Sequence, residues 1–134
     1  MAPSIVWGIG VGLIIAVADA VTIILAGSVD PTQWPIDDID TLVNIALYSL
    51  IGFKVGRATG VVRDAAEAGV MAGVLVGLVG LAVARVFPPP NGAMDSPNQM
   101  IAQIAWNIVF GGCLAIVAGW FGSRASKGGS SARP

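Results

Sequence analysis

Asp19 and Arg85 are the residues of this chain most at odds with their surroundings. Each closes a matched tetrapeptide, AVAD at 16–19 and AVAR at 82–85, inside glycine-spaced apolar runs that otherwise exclude charge. A carboxylate in such a run is costly to desolvate, so a partner or a proton is expected with it. Two chemistries fit. In one, Asp19 and Arg85 form a structural pair, the long arginine side chain reaching to neutralise the acid. In the other, Asp19 is a binding or coupling carboxylate for a proton, a cation or a small polar solute. Asn44, Tyr48, Gln103 and Asn107 fall at similar depth in their own segments and, with Asp19 and Arg85, complete a candidate intramembrane polar site.

The remaining inventory narrows the chemistry by what it lacks. There is no histidine, which excludes imidazole ligation of zinc, haem or a chlorophyll-type pigment and a histidine-based catalytic triad. No phosphate loop, dinucleotide fingerprint or metalloprotease helix is present. Cys113 is the sole cysteine and lies within an apolar run, so no intrachain disulfide can form and a packing role is expected. Glu67, the only glutamate, stands with Arg63 and Asp64 where a helix begins, and acidic residues suit that position. The expectation is a protein without catalytic residues, metal or cofactor, not an enzyme, and without a nucleic-acid partner.

The elements that must position these residues are membrane spans. The composition is 55% hydrophobic and 11% charged, a balance that belongs to a bilayer rather than to water. A helix crossing a ~30 Å hydrocarbon core needs about 20 mostly apolar residues. Four stretches meet or approach this: Ile5 to Ala26, Ile39 to Gly56, Ala65 to Phe87 and Met100 to Phe121. The second is the weakest, because Asp40, Asn44 and Lys54 leave a clean run only from Ile45 to Phe53. The first is not a secretory signal despite the small residues of LAGS at 25–28, since it lacks a basic leader, is too long and carries Asp19.

With four crossings, Lys54, Arg57, Arg63, Arg124, Lys127 and Arg133 gather on one side and Arg85 stands alone near the other. The positive-inside rule then puts both termini in the cytoplasm of an inner (plasma) membrane. The opposite loops hold Asp30, Asp37, Asp38, Asp40 and Asp95, which carry little weight in topology. Trp7 and Trp120 fall at the inner interface and Trp34 in an outer loop. SPNQ at 96–99 reads as a capping box opening the fourth helix, and FPPPNG at 87–92 ends the third. A polar tail from 123 to 134 reads as disordered.

Residues four apart share a helix face. On the second helix that face reads Asp40, Asn44, Tyr48, Gly52, Gly56, and on the fourth Gln99, Gln103, Asn107, Gly111, Ala115, Gly119. Both are polar in the outer half and small in the inner half. The first and third helices carry Gly8, Gly12, Ala16, Ala20 and Ala65, Gly69, Gly73, Gly77. Such faces let backbones approach closely in lipid. The fold class expected is all-α, a polytopic membrane protein of four transmembrane helices in a single domain over 1–122. Hairpins 5–57 and 65–122 would be parallel repeats about an axis along the membrane normal.

In size and helix number the chain is similar to small multidrug carriers and bacterial fluoride channels. It lacks the sequence context of the carriers' first-helix glutamate and the channels' glycine-threonine-phenylalanine-serine stretch, so neither family's functional residues carry over. The role expected is a small structural or accessory subunit of the lipid bilayer, joining a second copy or a larger membrane complex through its glycine faces. The alternative is a minimal transporter or channel built on Asp19.

Overall fold

A computed structural model describes residues 3–26, 36–87 and 96–128. They form four helices: α1 (Pro3–Ala26), α2 (Ile36–Thr59), α3 (Val62–Val86) and α4 (Pro97–Gly128). No strand occurs among the described residues. All four helices are long and apolar enough to cross a membrane, with mean hydropathy 2.4, 1.3, 2.1 and 1.9 in chain order. The second is the least apolar, as its internal charges predict. The chain is an all-α, multi-pass membrane protein. Trp34, Asp30, Asp95, the proline run and residues 129–134 lie outside the described residues.

Local chemistry sets the helix ends. Pro97 opens α4 where a missing N–H costs nothing, and Ser96 and Gln99 form the expected reciprocal box. The Gln99 N–H donates to Ser96 Oγ at 3.3 Å and the Ser96 N–H donates to Gln99 Oε1 at 3.1 Å. Between α2 and α3 the structure leaves only Gly60 and Val61, tighter than the interval between expected spans ending at Gly56 and beginning at Ala65. Gly60 takes φ +72°, a left-handed conformation suited to glycine, and its N–H closes onto Gly56 O at 2.9 Å. The hydroxyl of Thr59 then accepts the Val61 N–H at 3.2 Å.

The far end of α4 departs from expectation. Helix continues through Gly128, so the predicted disordered tail does not begin at 123. Packing explains the extension: a side chain at Gly122 would strike the backbone of Phe53 and Arg57, so α4 is still pressed on α2 there. The Ser123 hydroxyl bonds Trp120 O at 2.9 Å, and the Arg124 guanidinium lies 3.6 Å from the Trp120 ring centre.

Small residues decide the arrangement. Gly8 and Gly12 of α1 rest on Ala68, Met71 and Ala72 of α3, and a Cβ on Gly12 would come within 2.9 Å of Ala72 Cα. Gly69, Gly73 and Gly77 of α3 meet Gly111, Asn107 and Ile104 of α4. Gly52 and Gly56 of α2 meet Ala115 and Gly119 of α4, and Gly119 also meets Ala65. Every glycine of the four stripes is therefore used inside the chain. The core between them is thin: Ile15, Ile51, Val55 and Val76 with alanines 16, 65, 68, 72 and 115. α1 packs on α3 and α2, α4 packs on α2 and α3, and α1 does not reach α4. Since α2 does touch α3, its counterpart pairing in a two-fold repeat is missing, and the helix pairing gives the expected parallel repeat no support.

These contacts separate two kinds of glycine. Gly10 and Gly80 have nothing within 4 Å of an added Cβ, whereas Gly73 meets the α4 backbone. Gly73→Leu should therefore destabilise by about 1–3 kcal/mol or more through overpacking, while Gly10→Leu and Gly80→Leu leave thermal stability in detergent unchanged or raised. Equal melting temperatures for Gly73→Leu and Gly10→Leu would contradict this packing.

Candidate functional site

The stripes of α2 and α4 change from small to polar on the side of the bundle away from the α2–α3 turn, and there a cavity of about 280 Å³ opens. α1 contributes Asp19; α2 contributes Asp40, Thr41, Asn44 and Tyr48; α4 contributes Gln103, Trp106, Asn107 and Phe110. α3 supplies none of its lining. Because α1 and α4 do not touch, the cavity lies between them, with α2 joining its sides.

Asn44 organises the polar side. Its Nδ2 donates to Asp19 Oδ1 at 3.0 Å and to Asp40 Oδ2 at 3.2 Å, so one amide bridges two carboxylates on neighbouring helices. The Thr22 hydroxyl donates to the other Asp40 oxygen at 3.0 Å. An amide turned the other way would set its carbonyl against two anions, so the bonding network fixes the orientation. The Asn44 carbonyl oxygen is consequently directed away from both acids, and it is buried without a partner.

Tyr48 is 1% exposed, yet its hydroxyl also has no hydrogen-bond partner. The ring is held by position: a Cβ on Gly111 would lie 2.5 Å from its edge, and Phe110 meets it edge-on with centroids 6.2 Å apart. Trp106 stacks on Phe110 at 5.8 Å and 20°, so the opposite wall is aromatic. Unsatisfied buried polar atoms cost about 1–3 kcal/mol each.

Arg85 is not part of this cluster. It is exposed near the end of α3, where its Nη2 contacts Met100 Sδ at 3.2 Å. Among the described residues the one ion pair is Arg63–Glu67, at 3.0 Å near the α2–α3 turn. The matched tetrapeptides do not bring acid and base together, because α3 takes no part in the cleft and Asp19 has turned to α2. The structure does unite Asp19, Asn44, Tyr48, Gln103 and Asn107. Asp40, Thr41, Trp106 and Phe110 of the lining, and Thr22 behind Asp40, were missed as members. Signals for all but Thr41 were present: Asp40 leads the Asn44–Tyr48 stripe, Thr22 is three residues from Asp19, and Trp106 and Phe110 are four apart.

The cleft is thus acidic on one side and aromatic on the other, with no cationic side chain in its lining. No group of three or more histidine, cysteine or acidic residues gathers as a metal cage among the described residues. No family model matches this chain, no curated protein is significantly similar to it, and no solved structure matches its fold.

Thermal-stability cycles test this geometry. Asp19→Asn combined with Asn44→Ala should show a coupling of about 0.6 kcal/mol, with ~1.7 as the upper range for bonds between membrane helices. Asp19→Asn combined with Arg85→Gln should be additive within about 0.5 kcal/mol. The reverse ranking would restore the acid–base pair.

Proposed function

We propose that this protein is a minimal transporter or channel that binds a cation or proton at Asp19, within the outer half of an inner-membrane four-helix bundle. One observation carries the reading: two carboxylates bridged by Asn44 face a cavity inside the membrane-spanning region with no basic residue to neutralise them. Intramembrane acids that lack a partner base mark ion and proton pathways. The accessory-subunit reading rested on glycine faces that dock to other chains. Those faces are occupied within the bundle, which removes its main support.

Orientation belongs to the same proposal. Lys54, Arg57, Arg63 and Arg124 are exposed at the end of the bundle that holds the α2–α3 turn, so the positive-inside rule puts that end and both termini in the cytoplasm. The cleft then faces the outer leaflet.

Two measurements test these statements. A reporter fused after Pro134 should be active only in the cytoplasm and one inserted near Gly92 only outside; a cytoplasmic signal at Gly92 would overturn the topology. In proteoliposomes the full chain should show a pH- or cation-gradient-dependent response that Asp19→Asn abolishes while helical content is kept. A response indifferent to Asp19→Asn would remove the carboxylate from the mechanism.

A further inference from the structure

We infer that a second site, at the end of the bundle opposite the cleft, holds a phospholipid whose head joins a phosphate to a primary ammonium. The site is an open groove of about 400 Å³ on the seam of α1 and α3, lined by Ile5, Arg63, Ala66, Glu67, Val70 and Met71. None of these residues lines the cleft. The inference is independent of the cation reading of Asp19.

The α3 wall of the groove is charged at one end only. Arg63 and Glu67 stand on the first two turns of α3, beside the α2–α3 turn, and Val70 and Met71 follow one turn further into the span. From Arg63 to Met71 the helix rises about 12 Å, so a groove that begins at the membrane surface ends well inside a ~30 Å hydrocarbon core. The surrounding solvent at that depth is lipid tail. An occupant that fits therefore carries charge at one end and hydrocarbon at the other, and lies along the helix. Close packing shapes the apolar end: a Cβ on Gly8 would come within 3.0 Å of Met71 Cβ, so α1 stands directly against it.

The charged end selects the head. Arg63 Nε donates to Glu67 Oε1 at 3.0 Å, a bond that engages one of the guanidinium's N–H donors and one oxygen of the carboxylate. The two side chains are 85% and 48% exposed, so the rest of each group is open to a ligand. Their charges sum to zero, which matches a zwitterion. A phosphate can take the remaining guanidinium N–H groups in the forked geometry that suits arginine, while a primary ammonium beside it donates to Glu67. A choline head has no N–H to give. A glycerol head sets an uncompensated phosphate beside the Glu67 carboxylate.

Native mass spectrometry of the full chain in mild detergent tests this, with dioleoyl phosphatidylethanolamine, phosphatidylcholine and phosphatidylglycerol added at equal concentration. The ethanolamine lipid should be retained at least ~10-fold more than either of the others, the ratio expected of a hydrogen bond to a charged group. Glu67→Gln should bring the ethanolamine-to-choline ratio toward one, whereas Arg63→Gln should lower retention of all three phosphates. Both residues are exposed and their pair is a surface one, so each variant should keep its helical content. Lys54→Gln, at an exposed cation outside the groove, should leave the ratio as it is. Equal retention of the three lipids, retention of none, a ratio untouched by Glu67→Gln or one moved as far by Lys54→Gln would each overturn the inference. Loss of helical content in Glu67→Gln would do so too, by making the ion pair a structural one.

Discussion

Inside a bilayer the lipid tails are as apolar as leucine, so helices are not driven together by water and must gain by close contact. In this chain the contact is backbone against glycine and alanine. Gly52 and Gly56 draw α2 onto Ala115 and Gly119, while Gly69 and Gly73 draw α3 onto the neighbouring face of the same α4 segment. α4 is thereby wedged between α2 and α3 and does not pack on α1. α1 joins from the other side through Gly8 and Gly12. The diagonal gap between α1 and α4 is thus a consequence of where the small residues are, and the cleft is that gap at the level where the stripes stop being small.

Tyr48 marks the change of character along α2. Below it the stripe continues as Gly52 and Gly56 and the helices nearly touch; above it come Asn44 and Asp40, which need space and partners. Its ring rests on Gly111, the last glycine of the α4 stripe before Asn107 and Gln103. The small-to-polar switch therefore occurs at facing positions on two helices. One side chain both closes the tight half and forms part of the open half.

The sequence made these stripes legible because helical periodicity is local: residues four apart share a face whatever that face meets. The four spans, read from apolar run length, the capping box at Ser96 and the polar grouping of Asp19, Asn44, Tyr48, Gln103 and Asn107, read from depth in the spans, rest on equally local signals. Pairing between helices is not local, and there the reading went astray. AVAD and AVAR match as strings, yet Asp19 found Asn44 on α2 and Arg85 found Met100 on α4. Glycine faces announce close approach without saying to what; they were spent within the chain. Composition also misjudged residues 123–128, which look disordered by their small polar side chains yet continue α4 beyond the contact of Gly122 with Phe53.

The side-chain bonds that tie α1 to α2 are also the bonds that surround the cleft. Thr22 on Asp40 and Asn44 on Asp19 link these helices, and α1 does not pack on α4. A carboxylate oxygen has about two lone-pair sites, so Asp19 can receive a ligand without giving up Asn44. Were Asp19 to take a proton, the bond from Asn44 would lose its charge assistance, roughly half its strength, and the hold of α2 on α1 would weaken with it. The charge state of one residue is therefore coupled to the position of a helix whose other anchor, the Gly8 and Gly12 contact, lies in the opposite half of the bundle.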